Sequence, residues 1–423
     1  MRSEWKQISA ENYCESVRDG THDSPKQCNS VNSKYLITSK HLNDYSIDFS
    51  NAYKISIDDY QKVIERSKVR QWDILFSMIG TIGKVYQEKE EAPDYAIKNI
   101  GLFKMGEDQQ KSNWLKYYLQ SPQAKLYILS HLRGSTQSYV PLQTLRVMPI
   151  YVPELHEQRF IISTLTCIDE KIELNNKINA NLEAQAQAIF KSWFVDFEPF
   201  QNAEFVDSEM GLIPKGWRVG TLSDIGTIVG GATPSKSIKE YYTNTSKGIA
   251  WITPKDLSNN RDKFIFRGEL DITELGFKHS STKIMPQGTV LFSSRAPIGY
   301  MAIAENDVCT NQGFKSVVPD EGYGTAFVYY TLKYKLKEIQ NLGSGSTFKE
   351  VSGNVMKKVI VLIPDAEVLN SFNGICEIIF NKQRNLEKQN HTLADLRDTL
   401  LPKLMNGEIK VPISDEEVKE SYD

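Results

Sequence analysis

Cysteine is scarce in this chain. Five residues (14, 28, 167, 309 and 376) are scattered through 423 with no C-x-x-C pair. That excludes a zinc ribbon, argues against a disulfide scaffold and makes a reducing, cytoplasmic compartment the simplest expectation. Long apolar runs are missing too. The longest are of the order of Val359–Ile363, far short of the roughly 20 residues that span a bilayer, so no membrane association is expected. The N-terminal MRSEWKQIS is polar and has no apolar stretch of the signal-peptide kind. Excess charge of either sign is absent: 50 Lys and Arg stand against 53 Asp and Glu, net −3, so any nucleic-acid affinity must come from local patches.

Catalytic signatures are also lacking. Gly80-Thr-Ile-Gly-Lys84 is too short for a phosphate loop and is followed by Val85. There is no H-E-x-x-H, the six histidines are dispersed, and no G-x-S-x-G elbow occurs. Pro93-Asp94, Pro319-Asp320 and Pro364-Asp365 could each open a nuclease carboxylate cluster, but none is followed within about 30 residues by the Asp/Glu-x-Lys that metal-dependent cleavage needs. Asp169-Glu-Lys171 has that form, yet it lies on a heptad helix and reads as a solvated face. No catalytic and no metal-binding residue is assigned. The chain reads as a binder and scaffold.

What is present is an internal repeat. Trp5-Lys-Gln-Ile opens one copy and Trp217-Arg-Val the other. Ile37-Thr-Ser-Lys-His-Leu42 answers Ile252-Thr-Pro-Lys-Asp-Leu257 at an offset of 215; Leu75-Phe-Ser77 answers Leu291-Phe-Ser293 at 216; Gly134-Ser-Thr136 answers Gly345-Ser-Thr347 at 211. Loop insertions and deletions account for the drift. Each copy has a globular part with short apolar runs broken by Gly, Pro, Asn and Ser (1–155 and 199–365). These predict strands with some helix, for instance around Trp114–Leu132. Each globular part leads into a segment almost free of Gly and Pro (156–198 and 366–411), and a short acidic tail, 412–423, follows the second.

Those segments carry a heptad. It runs Ile161, Leu165, Ile168, Ile172, Asn175, Asn179, Leu182, Ala186, Ile189, Trp193 in the first, and 211 residues later Phe372, Cys376, Ile379, Gln383, Leu386, Asn390, Leu393, Arg397, Leu400, Leu404. Asn in mid-seam fixes register at some cost in stability. Arg397 interrupts the second stripe, which Leu396 can continue. Two amphipathic helices, each packed on its own globule, would satisfy the spacing alone; the shared phase favours a pair packed on itself. With the order globule, helix, globule, helix, the pair must be antiparallel, and residues 161–193 would reach about 50 Å at 1.5 Å per residue.

Charge is distributed unevenly. The globular parts each carry a surplus of two positive charges; the helical segment and the C-terminal stretch are acidic by three and four. Lys54, Lys62, Arg66, Lys68 and Arg70 cluster in the first copy, and Lys255, Arg261, Lys263 and Arg267 in the second; such clusters displace the counterions of a phosphate backbone. Base reading needs side chains that donate and accept on loops able to enter a groove. Candidate loops recur: Asp19–Pro25 and Gly230–Lys236 early, Gly134–Gln137 and Gly343–Thr347 late.

The layout resembles the specificity subunit of type I restriction–modification enzymes. The stretches that carry the resemblance are Lys191-Ser-Trp-Phe-Val-Asp-Phe-Glu-Pro199, Gly211-Leu-Ile-Pro-Lys-Gly-Trp217 and Leu400-Leu-Pro-Lys-Leu-Met-Asn-Gly-Glu-Ile-Lys-Val411, with Asp19-Gly-Thr-His22, Thr233-Pro-Ser235, Trp251-Ile-Thr253 and both Gly-Ser-Thr turns. The resemblance implies an α+β fold with two tandem target recognition domains, a pseudo-twofold repeat, separated by an antiparallel pair of coiled-coil helices. Each domain would read half of a split double-stranded DNA site; at 3.4 Å per base pair, a spacer of about 50 Å corresponds to a target of roughly 14 base pairs or less. The helices would dock two modification (methyltransferase) subunits, and the assembly would recruit two restriction (translocase–nuclease) subunits. S-adenosylmethionine, ATP and magnesium would belong to those partners. Expected DNA contacts are His22, Lys26, Lys40, Ser135, Thr136 and Gln137 in the first domain, and Thr233, Ser235, Lys236, Lys255, Arg295, Ser346 and Thr347 in the second. Trp193, Phe194, Phe197, Leu401 and Leu404 are expected in helix-pair or partner packing. A coiled-coil adaptor with no DNA role and a solitary nuclease are the readings left beside this one.

Overall fold

The two segments poor in Gly and Pro form 40-residue helices, Leu155–Phe194 and Ala366–Met405. The computed structural model describes residues 5–259, 262–295, 297–345 and 349–410, so the acidic tail lies outside the described residues. The chain divides into two units: residues up to Leu174 with those from Asn390 onward, and Asn175–Gln389. Each long helix therefore contributes one half to each unit. Among the described residues, no helix is long and apolar enough to cross a membrane.

Within each unit the helix halves run antiparallel. In the first, Ile161 and Leu165 share a core with Leu401 and Leu404, and Asp169 pairs with Arg397. In the second, the Asn175 amide donates to Gln389 at 2.7 Å, Gln383 donates to the Asn179 carbonyl at 3.2 Å, and Phe194 meets Phe372 edge-on at 4.9 Å. Partner numbers fall as the first helix rises. Two sequence expectations are overturned here. Asp169 is not on a solvated face: its side chain is 2% exposed, against Lys116 at 2.6 Å and the hydroxyls of Tyr45 and Tyr117, both at 2.9 Å. Leu396 does not continue the stripe. It is 46% exposed, and Arg397 turns inward because Asp169 supplies its counter-charge.

Among the described residues, three sheets build the first unit. One has the order Ser16–Asp19, Ile100–Lys104, Ile74–Ser77, Val85–Gln87, all antiparallel. A second sets Lys34–Thr38 parallel to Tyr95–Lys98 and antiparallel to Lys54–Ile55. The third pairs Lys6–Ser9 with Pro149–Val152. The helix expected around Trp114–Leu132 is two, Gln109–Gln120 and Pro122–Ser130, because Ser121 ends one and caps the next ahead of Pro122.

The second unit repeats the plan. Gly226–Gly230, Lys315–Pro319, Val290–Phe292 and Met301–Ala304 form the counterpart of the first sheet, with Phe264–Ile265 added at the edge. Ile249–Ile252 lies parallel to Cys309–Thr310 and antiparallel to Leu270–Ile272, whose far side pairs with Tyr242–Asn244. Arg218–Thr221 pairs with Ile360–Ile363. A hairpin, Phe205–Ser208 with Gly211–Pro214, precedes it all. The core gathers Phe190, Phe194, Phe327 and Phe372, each contributing roughly 1.5–3 kcal/mol by burial. Trp193 and Phe197 pack against this core half-buried.

Candidate nucleic-acid interface

Strand direction decides which loops meet. In the first unit, strands end at Asp19, Thr38, Ser77 and Lys98, and register sets Asp19 opposite Gly101, Ser77 opposite Ile100 and Thr38 opposite Lys98. The loops that follow, 20–25, 39–42, 78–84 and 98–99, therefore leave from one end of the sheets. The 133–139 hairpin joins them: Arg133 and Tyr139 exchange backbone bonds at 2.8 and 3.0 Å, and the Val140 N–H donates to the Met78 carbonyl at 2.9 Å. The second unit converges in the same way. Gly230 stands opposite Lys315 and Ile252 opposite Thr310, while the Ser294 N–H donates to Gly313 and the Val351 N–H to Ser294.

A pair of glycines lets the first loop lie flat on each end. A Cβ on Gly20 would sit 2.3 Å from the Ile97 carbonyl oxygen, and one on Gly231 would sit 2.1 Å from that of Asn311. Backbone bonds fill the space instead: Thr21 N–H to Ile97 at 3.0 Å, and Ala232 N–H to Thr310 at 2.9 Å. The two glycines are 211 residues apart. Because backbone cannot yield as a side-chain tip does, Gly231→Ala is expected to lower stability by about 1–3 kcal/mol, read as a lower urea midpoint. An unchanged midpoint would mean the loop does not rest on the strand end.

Most expected contact residues sit on these ends. His22 is exposed, held by Asn99 Oδ1 at Nδ1 (2.8 Å) and by buried Asp19 at Nε2 (2.9 Å). Asp19 also binds Arg66, and His22, Lys62 and Arg66 line one cleft of about 600 Å³. Lys26 and Lys40 are exposed, and Ser135, Thr136 and Gln137 are exposed on the 133–139 hairpin. In the second unit Ser235, Lys236 and Lys255 are exposed and Thr233 is half-buried. Arg295 is half-buried and pairs with Glu350 at 3.4 Å. Ser346 and Thr347 lie outside the described residues.

The basic clusters are only partly assembled. Lys68 and Arg70 open onto a different cleft, beside Glu91 and Asp94. In the second copy, Arg261 is outside the described residues and Arg267 is bound by Asp271 at 2.5 Å. Lys263 is buried under the rings of Tyr329, Tyr330 and Phe380. Lys255 stays exposed, in a pair with Glu269 at 2.7 Å that raises its ammonium pKa. Of the packing residues, Phe194, Leu401 and Leu404 are buried in their units' own cores.

Sequence reasoning missed the turn after the parallel strand. Asn99 holds His22 in one unit; in the other, Asn311 and Gln312 line a cleft of about 720 Å³ with Thr233, Lys236, Lys255 and Trp251. The signal was there: Asn99-Ile-Gly101 and Asn311-Gln-Gly313 repeat at an offset of 212. Among the described residues, no group of three His, Cys, Asp or Glu is placed to hold a metal ion.

A family model described as the type I restriction modification DNA specificity domain matches the chain twice, over residues 3–184 and 214–392. The type I restriction enzyme MjaIX specificity subunit of Methanocaldococcus jannaschii is 42% identical over 194 residues, 45% of this chain; the chain spans 44% of that relative's length. The HindI specificity subunit of Haemophilus influenzae is 28% identical over 342 residues, 67% of this chain and 73% of the relative. Among solved structures, the type-I restriction-modification system S subunit from M. genitalium is similar in fold, with a TM-score of 0.51 at 15% identity, covering 95% of this chain and 96% of that one.

Proposed function

This chain belongs to the type I restriction modification DNA specificity family, and from that premise we propose that each unit uses its loop end to read one half of a split duplex target. The observation that carries the reading is the twinned loop end: Gly20 and Gly231 lay equivalent polar loops against equivalent strand ends. Two readers in one chain suit a bipartite site. Exposed Lys26, Lys40, Lys236 and Lys255 would take phosphates, and the hydroxyl and amide side chains between them would face base edges. The long helices would fix the gap between half-sites and dock two modification subunits, with two restriction subunits joining the assembly. S-adenosylmethionine, ATP and magnesium would be held by those partners, and this chain would contribute recognition without catalysis.

Duplex retention tests the reading. The full chain with its modification subunits is expected to hold DNA in a salt-dependent way and to prefer one bipartite sequence. Lys255→Ala should weaken binding to all sequences and lower the salt slope by about one. Retention that ignores salt and sequence would refute the DNA-reading role; a change in base preference alone would refute the phosphate role of Lys255.

A further inference from the structure

The side-chain groups left free on the Asn311–Gln312 turn, which lines the second unit's cleft, are of one kind. The side-chain acceptors of that turn are already used, and part of the acidic lining beside it is engaged as well. Asp256 takes the Thr253 N–H at 2.8 Å and hydroxyl at 2.6 Å on one oxygen, and the Glu269 N–H at 2.8 Å on the other. Glu269 is bound by Lys255 through one of its two oxygens. The Asn311 side-chain oxygen accepts from the Gly313 N–H at 2.8 Å, and the Gln312 side-chain oxygen accepts from the Thr233 hydroxyl. Left over are donors: among the described residues, Nδ2 of Asn311, Nε2 of Gln312 and the ammonium of Lys236 have no protein partner.

The mouth is also held in place. The Asn311 N–H donates to the Ile252 carbonyl at 3.0 Å, and Gly231 leaves no room between its loop and this turn. Gln312 is exposed at the end of that fixed turn. A turn whose side chains donate without accepting discriminates among bases. In the major groove guanine offers two acceptors, N7 and O6; adenine pairs an acceptor with a donor, cytosine offers a donor, and thymine a single acceptor beside a methyl group.

We propose that Gln312, its amide oriented by Thr233, is a specificity-determining residue that reads guanine in the half-site taken by the second unit. The inference rests on the DNA-reading role proposed above and deepens it by naming the residue and the base. The lysine beside it adds charge without geometric preference.

Selection from a pool of duplexes with a randomised centre, using the full chain with its modification subunits, tests it. The unaltered protein should fix a G·C pair at one position that Gln312→Ala relaxes by about 5- to 150-fold, the discrimination of one good base contact. The other half-site and retention of non-specific duplex should not change. Gln312→Glu replaces the donor with an acceptor and should move that position from guanine towards cytosine. Thr233→Val, which frees the amide to turn, should relax the same position. A motif unchanged by the Gln312 variants, or a relaxed position that was not guanine, overturns the assignment while leaving the DNA-reading role intact. An unaltered protein that selects no motif overturns both.

Discussion

A Glu183→Leu variant is expected to lose about 3–5 kcal/mol of stability in urea unfolding. Glu183 sits on the first long helix and is the shared anion of a buried cluster. One oxygen lies 2.5 Å from the Lys333 ammonium; the other binds the Lys263 ammonium and the Tyr330 hydroxyl, the latter at 3.0 Å. Lys263 has a side chain 6% exposed and cannot turn to water. Without the carboxylate its hydrogen-bond partners are neutral, Gln383 at 2.7 Å and Tyr330 at 3.0 Å, beside the aromatic faces, and the charge of Glu387 acts on it without an ion-pair contact. An uncompensated buried cation costs far more than an exposed pair such as Lys255–Glu269, whose removal should leave stability unchanged. Adding Lys263→Met to Glu183→Leu should therefore recover much of the loss. Burial alone would raise the Glu183 pKa, but Lys263 and Lys333 outweigh it and hold the carboxyl at about 2, below its ordinary 4.5. Its stabilisation is thus full above pH 4.5 and fades as pH falls towards 2. The gap between variant and unaltered protein should close over that range. A variant that unfolds with the unaltered protein at pH 7 would refute the cluster's role.

That cluster marks the boundary of what the sequence makes legible. Local patterns carried through. Ile37 and Ile252 lie in equivalent strands, Leu75-Phe76 and Leu291-Phe292 fill equivalent central ones, and the heptad from Ile161 onward faces inward because periodicity needs no distant partner. Polar residues whose surroundings come from far along the chain did not. Asp169-Glu-Lys171 has the composition of a solvated turn of helix, and only the arrival of Lys116 and Arg397, 53 and 228 residues away, buries its aspartate. Lys263 stands among basic residues in sequence and among tyrosines in space. The loop end was legible as far as repeated Gly-rich loops reach, and that found His22, Thr233 and Lys236. Asn99 and Asn311 were passed over because one shared Asn-x-Gly is a weak signal until parallel strands set both asparagines beside those loops.

Stability of the second unit should also fall between about pH 5 and pH 8, by up to about 3 kcal/mol, and Glu387→Gln should remove that dependence. Glu387 lies on the second long helix and accepts the backbone N–H groups of Lys263 at 2.9 Å and Phe264 at 3.2 Å, tying the edge strand Phe264–Ile265 to the helix. Burial raises its pKa, and the charge of Asp262 raises it further; the two N–H donors and the Lys263 ammonium oppose this only in part, leaving it at about 7 against an ordinary 4.5. The folded chain therefore holds this proton more tightly than the unfolded chain does. The stabilisation is full below pH 4.5 and is lost as pH rises through 7, the opposite sense to Glu183. Glutamine keeps an acceptor for the edge strand but has no charge to bury. Urea midpoints measured at unit steps from pH 5 to pH 8 should diverge in favour of the variant as pH rises. Parallel curves would mean that Glu387 titrates as an ordinary surface carboxylate and that its hold on the edge strand costs nothing in charge.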